Sequence, residues 1–206
     1  MDFLTELRRR RLVAIIRGAD PDASVRTVTT LAEAGVPLVE VSLTGAGALD
    51  VIRRARAALG DGAWLGAGTV LTAEDADRAV QAGANFVVTP GLGPGVDAAV
   101  RLGLPVLAGA LTPTEVGAAD RAGATAVKVF PAFTAGGPAY LKALRGPFPD
   151  LRLVPVGGVD TTAAREYLAL GATAVGVGTP LIGDAADGGD LAALRRRAAR
   201  FLEVCG

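Results

Sequence analysis

Lysine is rare in this sequence, and one of the two lysines stands in an unusual place. The chain of 206 residues has 21 basic residues, of which only Lys128 and Lys142 are lysines. Lys128 lies between two valines in the apolar run "ATAVKVFPAF". Arginine stays protonated, whereas a lysine amine desolvated among apolar side chains can lose its proton near neutral pH and attack a carbonyl carbon. Lys128 is therefore predicted to be a nucleophile suited to imine chemistry.

Glu40 is the acid best placed to transfer protons beside such a lysine. The sequence contains no histidine, which removes the usual general base and the usual transition-metal ligand. Proton transfer then falls to a carboxylate, and Glu40, in "LVEVSL", is the only acid inside a predicted strand. Its neighbours Val39 and Val41 favour a desolvated setting, which would raise the pKa of the carboxyl towards the working pH. Lys142 is predicted to be an ordinary solvated residue of a helix, with contact to an anionic substrate as the lesser alternative.

Glycines recur along the chain where helices are expected to end. They follow helical segments at steps of 20 to 25 residues, and each is typical of a glycine C-cap. A short apolar run follows nearly every one, as in strands of a parallel sheet buried on both faces. The glycines are Gly35, Gly60, Gly83, Gly103, Gly123, Gly146 and Gly171.

Eight strand-like runs alternate with these helices, which predicts an α/β fold of the (β/α)8 TIM barrel type with a short N-terminal helix. The barrel would form a single domain over residues 1–206. The alternative is an open doubly wound sheet, but its G-x-G-x-x-G turn is missing after the first strand. The runs are "LVAIIR", "PLVEVSL", "WLGAG", "NFVVTP", "PVLAGA", "AVKVFP", "LRLVPVGG" and "TAVGVG".

Three charged residues fall in the middle or at the carboxyl-terminal end of these runs: Arg17, Glu40 and Lys128. A charge in a barrel strand is desolvated on either face and needs a reason. Two structural explanations remain open. Lys128 could reach water from a sheet edge, which a closed barrel lacks, and Glu40 could be the buried ion-pair partner of an arginine. Arg152 begins the seventh run, where solvent is close.

Two glycine-containing turns are predicted to bind a phosphate group. Barrel enzymes often hold phosphate with the loops after strands 7 and 8. Here Gly157 and Gly158 can bring backbone N–H groups close to an anion, and Gly178 with Thr179 offers a second turn with a hydroxyl group. Such turns also occur for purely structural reasons.

Other strand ends carry small polar or rigid residues that could line a pocket for a short keto acid. They are Thr69 after the third run, and Thr89, Pro90 and Gly91 after the fourth. Each alone is a weak signal.

The charge balance excludes several classes of partner. The 21 basic and 21 acidic residues cancel, so neither nucleic acid nor a membrane surface is expected. The basic run 8–11 is expected at the end of the N-terminal helix, where it complements the helix dipole. Cys205 is the only cysteine, which excludes a disulfide framework and a thiolate metal site. The apolar part of the N-terminus is too short for a secretory or membrane-spanning segment, so a cytoplasmic location is expected.

Seven short motifs follow one another along the chain: "AIIRG", "VEVSL", "GAGTVL", "VVTPGL", "VKVFPA", "VGGV" and "VGVGTPLI". Their order and spacing are those of the KDPG/KHG aldolase family. The sequence resembles this family over essentially its whole length. The resemblance implies a TIM-barrel aldolase of class I that needs no metal or other cofactor and is usually a homotrimer. It also implies Lys128 as the Schiff-base lysine and Glu40 as the general acid/base.

Within the family, the sequence is most similar to members that act on 2-dehydro-3-deoxy-6-phosphogalactonate. Gluconate-type members commonly carry an arginine four residues after the glutamate, where this chain has Thr44. They also tend to have a threonine just before the glycine pair, where this chain has Val156. These departures suggest that Arg17 recognises substrate oxygens instead.

The leading hypothesis is reversible cleavage of this phosphorylated keto-deoxy sugar acid into pyruvate and glyceraldehyde 3-phosphate. The same chemistry on the gluconate epimer or on 4-hydroxy-2-oxoglutarate is the nearest alternative. A phosphate-binding isomerase or synthase, or a non-catalytic sugar-phosphate-binding barrel, would leave the desolvated Lys128 unexplained.

Overall fold

Each of the eight predicted apolar runs contains one β-strand. A computed structural model describes residues 2–206. The strands are β1 (Leu12–Ile16), β2 (Leu38–Ser42), β3 (Trp64–Gly68), β4 (Phe86–Val88), β5 (Val106–Ala110), β6 (Ala126–Val129), β7 (Leu153–Pro155) and β8 (Val175–Val177).

The strands form one parallel sheet in which neighbours in the chain are also neighbours in space. β1 pairs with both β2 and β8, and a bridge between Val156 and Gly176 brings the two ends of the sheet together. The (β/α)8 barrel is confirmed, and the open doubly wound sheet is wrong.

Helix α1 precedes β1, and the other helices follow the strands and surround the barrel. They are α1 (Phe3–Arg10), α2 (Pro21–Glu33), α3 (Ala48–Leu59), α4 (Ala73–Gln81), α5 (Pro94–Arg101), α6 (Pro113–Arg121), α7 (Gly137–Arg145), α8 (Thr161–Ala169), α9 (Thr179–Ile182) and α10 (Leu191–Cys205), with a short 3₁₀ helix (Ala185–Asp187) between the last two.

Six of the seven glycines predicted to end helices have positive φ angles, which L-residues with side chains rarely adopt. Gly146 is the exception. It follows α7 with φ −57° and ψ −64°, so the backbone stays helical there. The positive-φ glycines let the chain turn sharply from a helix into the next strand, so the connecting loops are short.

The core has two layers, which follow from the alternation of side chains along each strand. One set of residues, including Val39 and Val41 of β2, packs against the surrounding helices. The other set, including Leu38, faces the barrel interior together with Phe3 and Leu7 of α1.

Helix α1 fills the amino-terminal end of the barrel. The Phe3 ring lies with its centroid 5.2 Å from the Trp64 ring and 4.7 Å from the Phe86 ring. The basic residues are in the last turn of α1, as predicted, and Glu6 pairs with Arg9 and Arg10. With this end packed by apolar side chains, space for a ligand is left at the carboxyl-terminal end.

Two further features of residues 2–206 bear on the expectations from the sequence. Cys205 is buried as a free thiol. No helix in this part of the chain has both the length and the apolar character needed to cross a membrane.

Candidate active site

Glu40 points into the barrel from the middle of β2, because it alternates with Val39 and Val41, which face the helices. Its side chain is buried, with 2% of its surface exposed. Space for the carboxyl comes from Gly68 on β3, where an added Cβ atom would lie 1.8 Å from Glu40 Oε1. A glycine at 68 is therefore required for this placement of Glu40.

Lys128 points into the barrel from β6 and is 6% exposed. Its ammonium nitrogen lies 4.9 Å from the centre of the Phe130 ring, within the range of a cation–π contact. No carboxylate among residues 2–206 forms a direct ion pair with it. The partner on the adjoining strand is Gly109.

The environment disfavours the charged form of both groups. Burial raises the pKa of the Glu40 carboxyl, and the positive charges of Lys128 and Arg17 oppose that rise without cancelling it. Burial also lowers the pKa of the Lys128 amine; the Glu40 carboxylate opposes the fall, and Arg17 adds to it. Both shifts bring the two groups nearer to transferring protons at neutral pH.

Arg17 differs from the sequence prediction in one respect. It does not belong to β1, which ends at Ile16, and its side chain is exposed. The Arg17 guanidinium is therefore solvated, and its positive charge lies at the mouth of the barrel. Its loop is held from both sides. The Ala19 N–H donates to Asp187 Oδ1 at 2.6 Å, and the Ala46 N–H donates to the Gly18 carbonyl at 2.9 Å.

A cluster of hydroxyl groups lies beside Arg17 at the ends of β2 and β3. Ser42 Oγ is 2.9 Å from Thr44 Oγ1 and 2.9 Å from Thr69 Oγ1. Arg17 Nε donates to the same Ser42 oxygen at 3.3 Å. Thr69 thus joins the predicted site. Ser42 was missed, although its spacing of two residues from Glu40 in one strand places both side chains on the same face.

The first glycine turn presents unengaged backbone amides. Gly157 and Gly158 have φ angles of 100° and 70°. Within residues 2–206 neither N–H donates a backbone hydrogen bond. The turn is fixed to the loop after β6, since the Ala132 N–H donates to the Val156 carbonyl and the Phe133 N–H to the Gly157 carbonyl, at 2.8 and 3.2 Å.

The second turn has the same character. Gly178 precedes α9, whose first residue is Thr179. In the described part of the chain, the Gly178 N–H also makes no backbone hydrogen bond. The first amides of a helix have no intrahelical acceptor, so both turns present N–H donors of the kind that binds anions.

Pro90 and Thr89 lie after β4, with different roles. Thr89 is buried, donates through Oγ1 to the Gly91 carbonyl at 2.8 Å and accepts from the Gly109 N–H at 3.1 Å. Its hydroxyl is therefore occupied in shaping the loop. Pro90 is half-buried, and its backbone fits closely over Gly109, where an added Cβ atom would lie 2.2 Å away.

The remaining candidates lie outside this group. Lys142 is exposed on α7, as predicted for a solvated helical residue. Across residues 2–206, no three or more His, Cys, Asp and Glu side chains are grouped in a way that could hold a metal ion.

Comparisons with known proteins identify the family to which this fold and sequence belong. The family model for KDPG and KHG aldolase matches residues 4–196. The 2-dehydro-3-deoxy-phosphogluconate aldolase of Haemophilus influenzae is 38% identical over 169 residues, covering 82% of this chain and 79% of the relative. The 2-dehydro-3-deoxy-6-phosphogalactonate aldolase of Escherichia coli is 37% identical over 172 residues, covering 82% and 83%.

A solved structure described as native KDPGal superposes with a TM-score of 0.86 at 34% identity, covering 94% of this chain and 93% of the other. The chain belongs to the KDPG and KHG aldolase family, and it is an aldolase, a carbon–carbon lyase.

Proposed function

We propose that this aldolase works through a Schiff base on Lys128 and that its substrate is 2-dehydro-3-deoxy-6-phosphogalactonate. The observation that carries the proposal is the inward-pointing, desolvated Lys128 amine, with its lowered pKa, facing an interior that also contains Glu40. A free amine can attack a ketone, whereas an ammonium group cannot.

The proposed reaction begins when the Lys128 amine attacks the C2 carbonyl and water leaves, which forms a protonated imine. As the C3–C4 bond breaks, its electron pair moves into the imine and gives an enamine. Glu40, directly or through a water molecule, accepts the C4 hydroxyl proton, so that an aldehyde leaves. Glu40 then gives this proton to C3 of the enamine. Hydrolysis of the imine releases pyruvate, the free lysine and the proton that was taken up from solution when the imine formed.

The anionic ends of the substrate are assigned to two different parts of the mouth. The amides of Gly157, Gly158 and Gly178, with the Thr179 hydroxyl, are suited to the phosphate. Arg17, Thr69 and the rim at Pro90 are assigned to the pyruvyl half and its oxygens. The relatives named above act on phosphorylated sugar acids, which supports a phosphate subsite.

The choice between epimers rests on two residues. Val156, which precedes the glycine pair, is buried and packs close to Gly176 in the barrel interior, so it offers no hydrogen bond to a C4 hydroxyl. Thr44, exposed at the mouth, replaces the arginine expected of gluconate-type members. The galactonate epimer is therefore expected to be cleaved at least as well as the gluconate epimer.

Assays of the two pure epimers test this choice, with pyruvate release measured through lactate dehydrogenase. The expected result is a kcat/KM for the galactonate epimer equal to or modestly above that for the gluconate epimer. A strong preference for the gluconate epimer would show that Val156 and Thr44 do not determine specificity, and the gluconate substrate would replace the galactonate one.

Self-association into a homotrimer is part of the same proposal. Leu71 and Leu92, on the loops after β3 and β4, are 54% and 40% exposed and line one shallow surface groove. Apolar side chains grouped in this way are typical of an interface. Sedimentation equilibrium is expected to give three times the chain mass, and the Leu71→Glu/Leu92→Glu double variant is expected to sediment as a monomer. A monomeric parent would refute the trimer.

A further inference from the structure

Ser42 lies where the candidate substrate-binding groups meet, yet it is fully buried itself. Its exposed fraction is 0%. It is the last residue of β2 and faces the same way as Glu40. Its single oxygen contacts Arg17 Nε, Thr44 Oγ1 and Thr69 Oγ1 at 3.3, 2.9 and 2.9 Å.

These three partners use the full hydrogen-bonding capacity of the hydroxyl group, which is one donor and two acceptor sites. Arg17 can only donate, so Ser42 accepts from it. Of the two threonines, one then donates to Ser42 and the other accepts from it. With Thr44 as the donor, Ser42 donates to Thr69 Oγ1, and the hydrogen of the Thr69 hydroxyl stays free for a substrate oxygen. Ser42 has no site left for a substrate, so its role is to hold other groups.

Arg17 depends on this contact for its orientation. Among residues 2–206, the bond to Ser42 is the one hydrogen bond that its guanidinium makes, and no carboxylate pairs with it. Because the Nε atom is occupied, the two terminal nitrogens remain to form a bidentate contact with an anion. An exposed arginine without this anchor would sample many rotamers, and binding would have to order it.

Thr69 depends on Ser42 in a different way. It follows β3, where continued alternation after Gly68 would turn position 69 towards the helices. Instead its φ angle is 59°, a value rarely adopted by β-branched residues, and its hydroxyl contacts the inward-facing Ser42. The hydrogen bond helps to hold an otherwise unfavourable backbone conformation.

We propose that Ser42 is a positioning residue that fixes the Arg17 guanidinium and the Thr69 hydroxyl as donors to the carboxylate end of the keto acid. This inference rests on the function proposed above, because it assigns a task to two residues of that site. Ser42 acts on binding, and the imine and proton-transfer steps belong to Lys128 and Glu40.

Substitutions at position 42 test the proposal through separate effects on KM and kcat. Ser42→Ala is expected to raise the KM for the sugar acid about 10-fold or more, the effect of losing a hydrogen bond to a charged group, with kcat changed less than about 3-fold. Ser42→Thr keeps the hydroxyl and is expected to restore KM. Ser42→Cys, which keeps the volume, is expected to behave as Ser42→Ala does.

A matched control loses a buried hydroxyl away from the mouth. Thr27 of α2 is 0% exposed and donates through Oγ1 to the Ala23 carbonyl at 2.8 Å, so Thr27→Val is expected to change stability and leave KM unaltered. If Thr27→Val raised KM as much as Ser42→Ala does, the effect would be one of general destabilisation and the proposal would be wrong.

A double-mutant comparison identifies the route by which Ser42 acts. In an Arg17→Ala/Thr69→Val background, adding Ser42→Ala is expected to change KM by less than about 2-fold, because the groups it positions are gone. A full Ser42 effect in that background would overturn the proposal. Borohydride trapping with pyruvate in the parent tests the underlying function separately: a parent that gives no adduct refutes the Schiff base, whatever the Ser42 variants do.

Discussion

Glu40 and Lys128 face each other across the barrel interior, from β2 and β6, which are four strands apart in the closed sheet of eight. Each opposes the effect of burial on the other, yet burial prevails at both. The pair is therefore poised to exchange protons with a ligand between them, and it does not form a closed salt bridge. Loss of the Arg17 charge and loss of the Glu40 charge should therefore shift the pKa of Lys128 in opposite directions.

The pH dependence of imine formation should report the environment of Lys128. Burial and Arg17 lower its pKa and Glu40 raises it, with the net value below the ordinary 10.5. The rate of pyruvate trapping should therefore rise to its plateau with a midpoint below 10.5. Arg17→Ala should move the midpoint upward, because a nearby positive charge is lost, and Glu40→Gln should move it downward.

Arg26→Ala provides the control for these shifts, since Arg26 is exposed on α2 and does not belong to the candidate active site. The midpoint should be the same as in the parent. Shifts of the same sign for Arg17→Ala and Glu40→Gln would contradict the electrostatic assignment.

Glu40→Gln should separate imine formation from proton transfer. An amide of nearly the same shape leaves the Lys128 amine free to attack pyruvate but cannot accept the C4 hydroxyl proton. The adduct should therefore still form, while aldol cleavage and the exchange of pyruvate methyl protons both fall by about 10²-fold or more, the usual contribution of a general acid or base. If both rates stayed near those of the parent, Glu40 would have only a structural role.

The same substitution should change stability in a pH-dependent way. The pKa of Glu40 in the folded protein lies above its ordinary value of 4.5, so the folded state binds this proton more tightly than the unfolded state does. Binding of this proton to Glu40 stabilises the folded state. The stabilisation is fully present below the pKa of Glu40 in the unfolded state and is lost as the pH rises through its pKa in the folded state. The thermal midpoint of Glu40→Gln relative to the parent should therefore increase from acid towards neutral pH. A relative midpoint that decreased would mean that the folded state prefers the carboxylate.

The glycine turns should make activity depend strongly on the phosphate group. A few charge-assisted hydrogen bonds of about 1.5–3 kcal/mol each predict a kcat/KM at least about 10²-fold higher for the phosphorylated acid than for its dephosphorylated form. Thr179→Val should lower kcat/KM for the phosphorylated acid and leave that for the dephosphorylated acid unchanged. Equal kcat/KM values for the two acids in the parent would show that the proposed site does not bind phosphate.

The fold followed from the sequence because each βα unit repeats the same local pattern. A continuous apolar strand and a glycine after a helix are local features, and Gly146 is the one predicted helix-ending glycine that stays helical. The cost of a charge inside a barrel strand likewise singled out Lys128 and Glu40. Their inward direction is seen in the structure, where the flanking valines pack against the helices.

The details that depend on contacts between loops were not predictable in this way. Ser42 gains its importance from Arg17 and Thr69, which are distant in the chain, and the positive φ of Thr69 breaks the alternation from which side-chain directions are read. Thr89 looked available for a ligand, but the close approach of its loop to Gly109 occupies its hydroxyl.

The most direct test of the central claim is borohydride reduction in the presence of pyruvate, followed by peptide mass mapping. The parent should gain one pyruvyl adduct, located on Lys128. Lys128→Met should gain none and lose cleavage while keeping its fold by circular dichroism, and Lys142→Arg, which removes the exposed lysine of α7, should be labelled as the parent is. An adduct on Lys142, or labelling that persists in Lys128→Met, would contradict the assignment of Lys128 as the nucleophile.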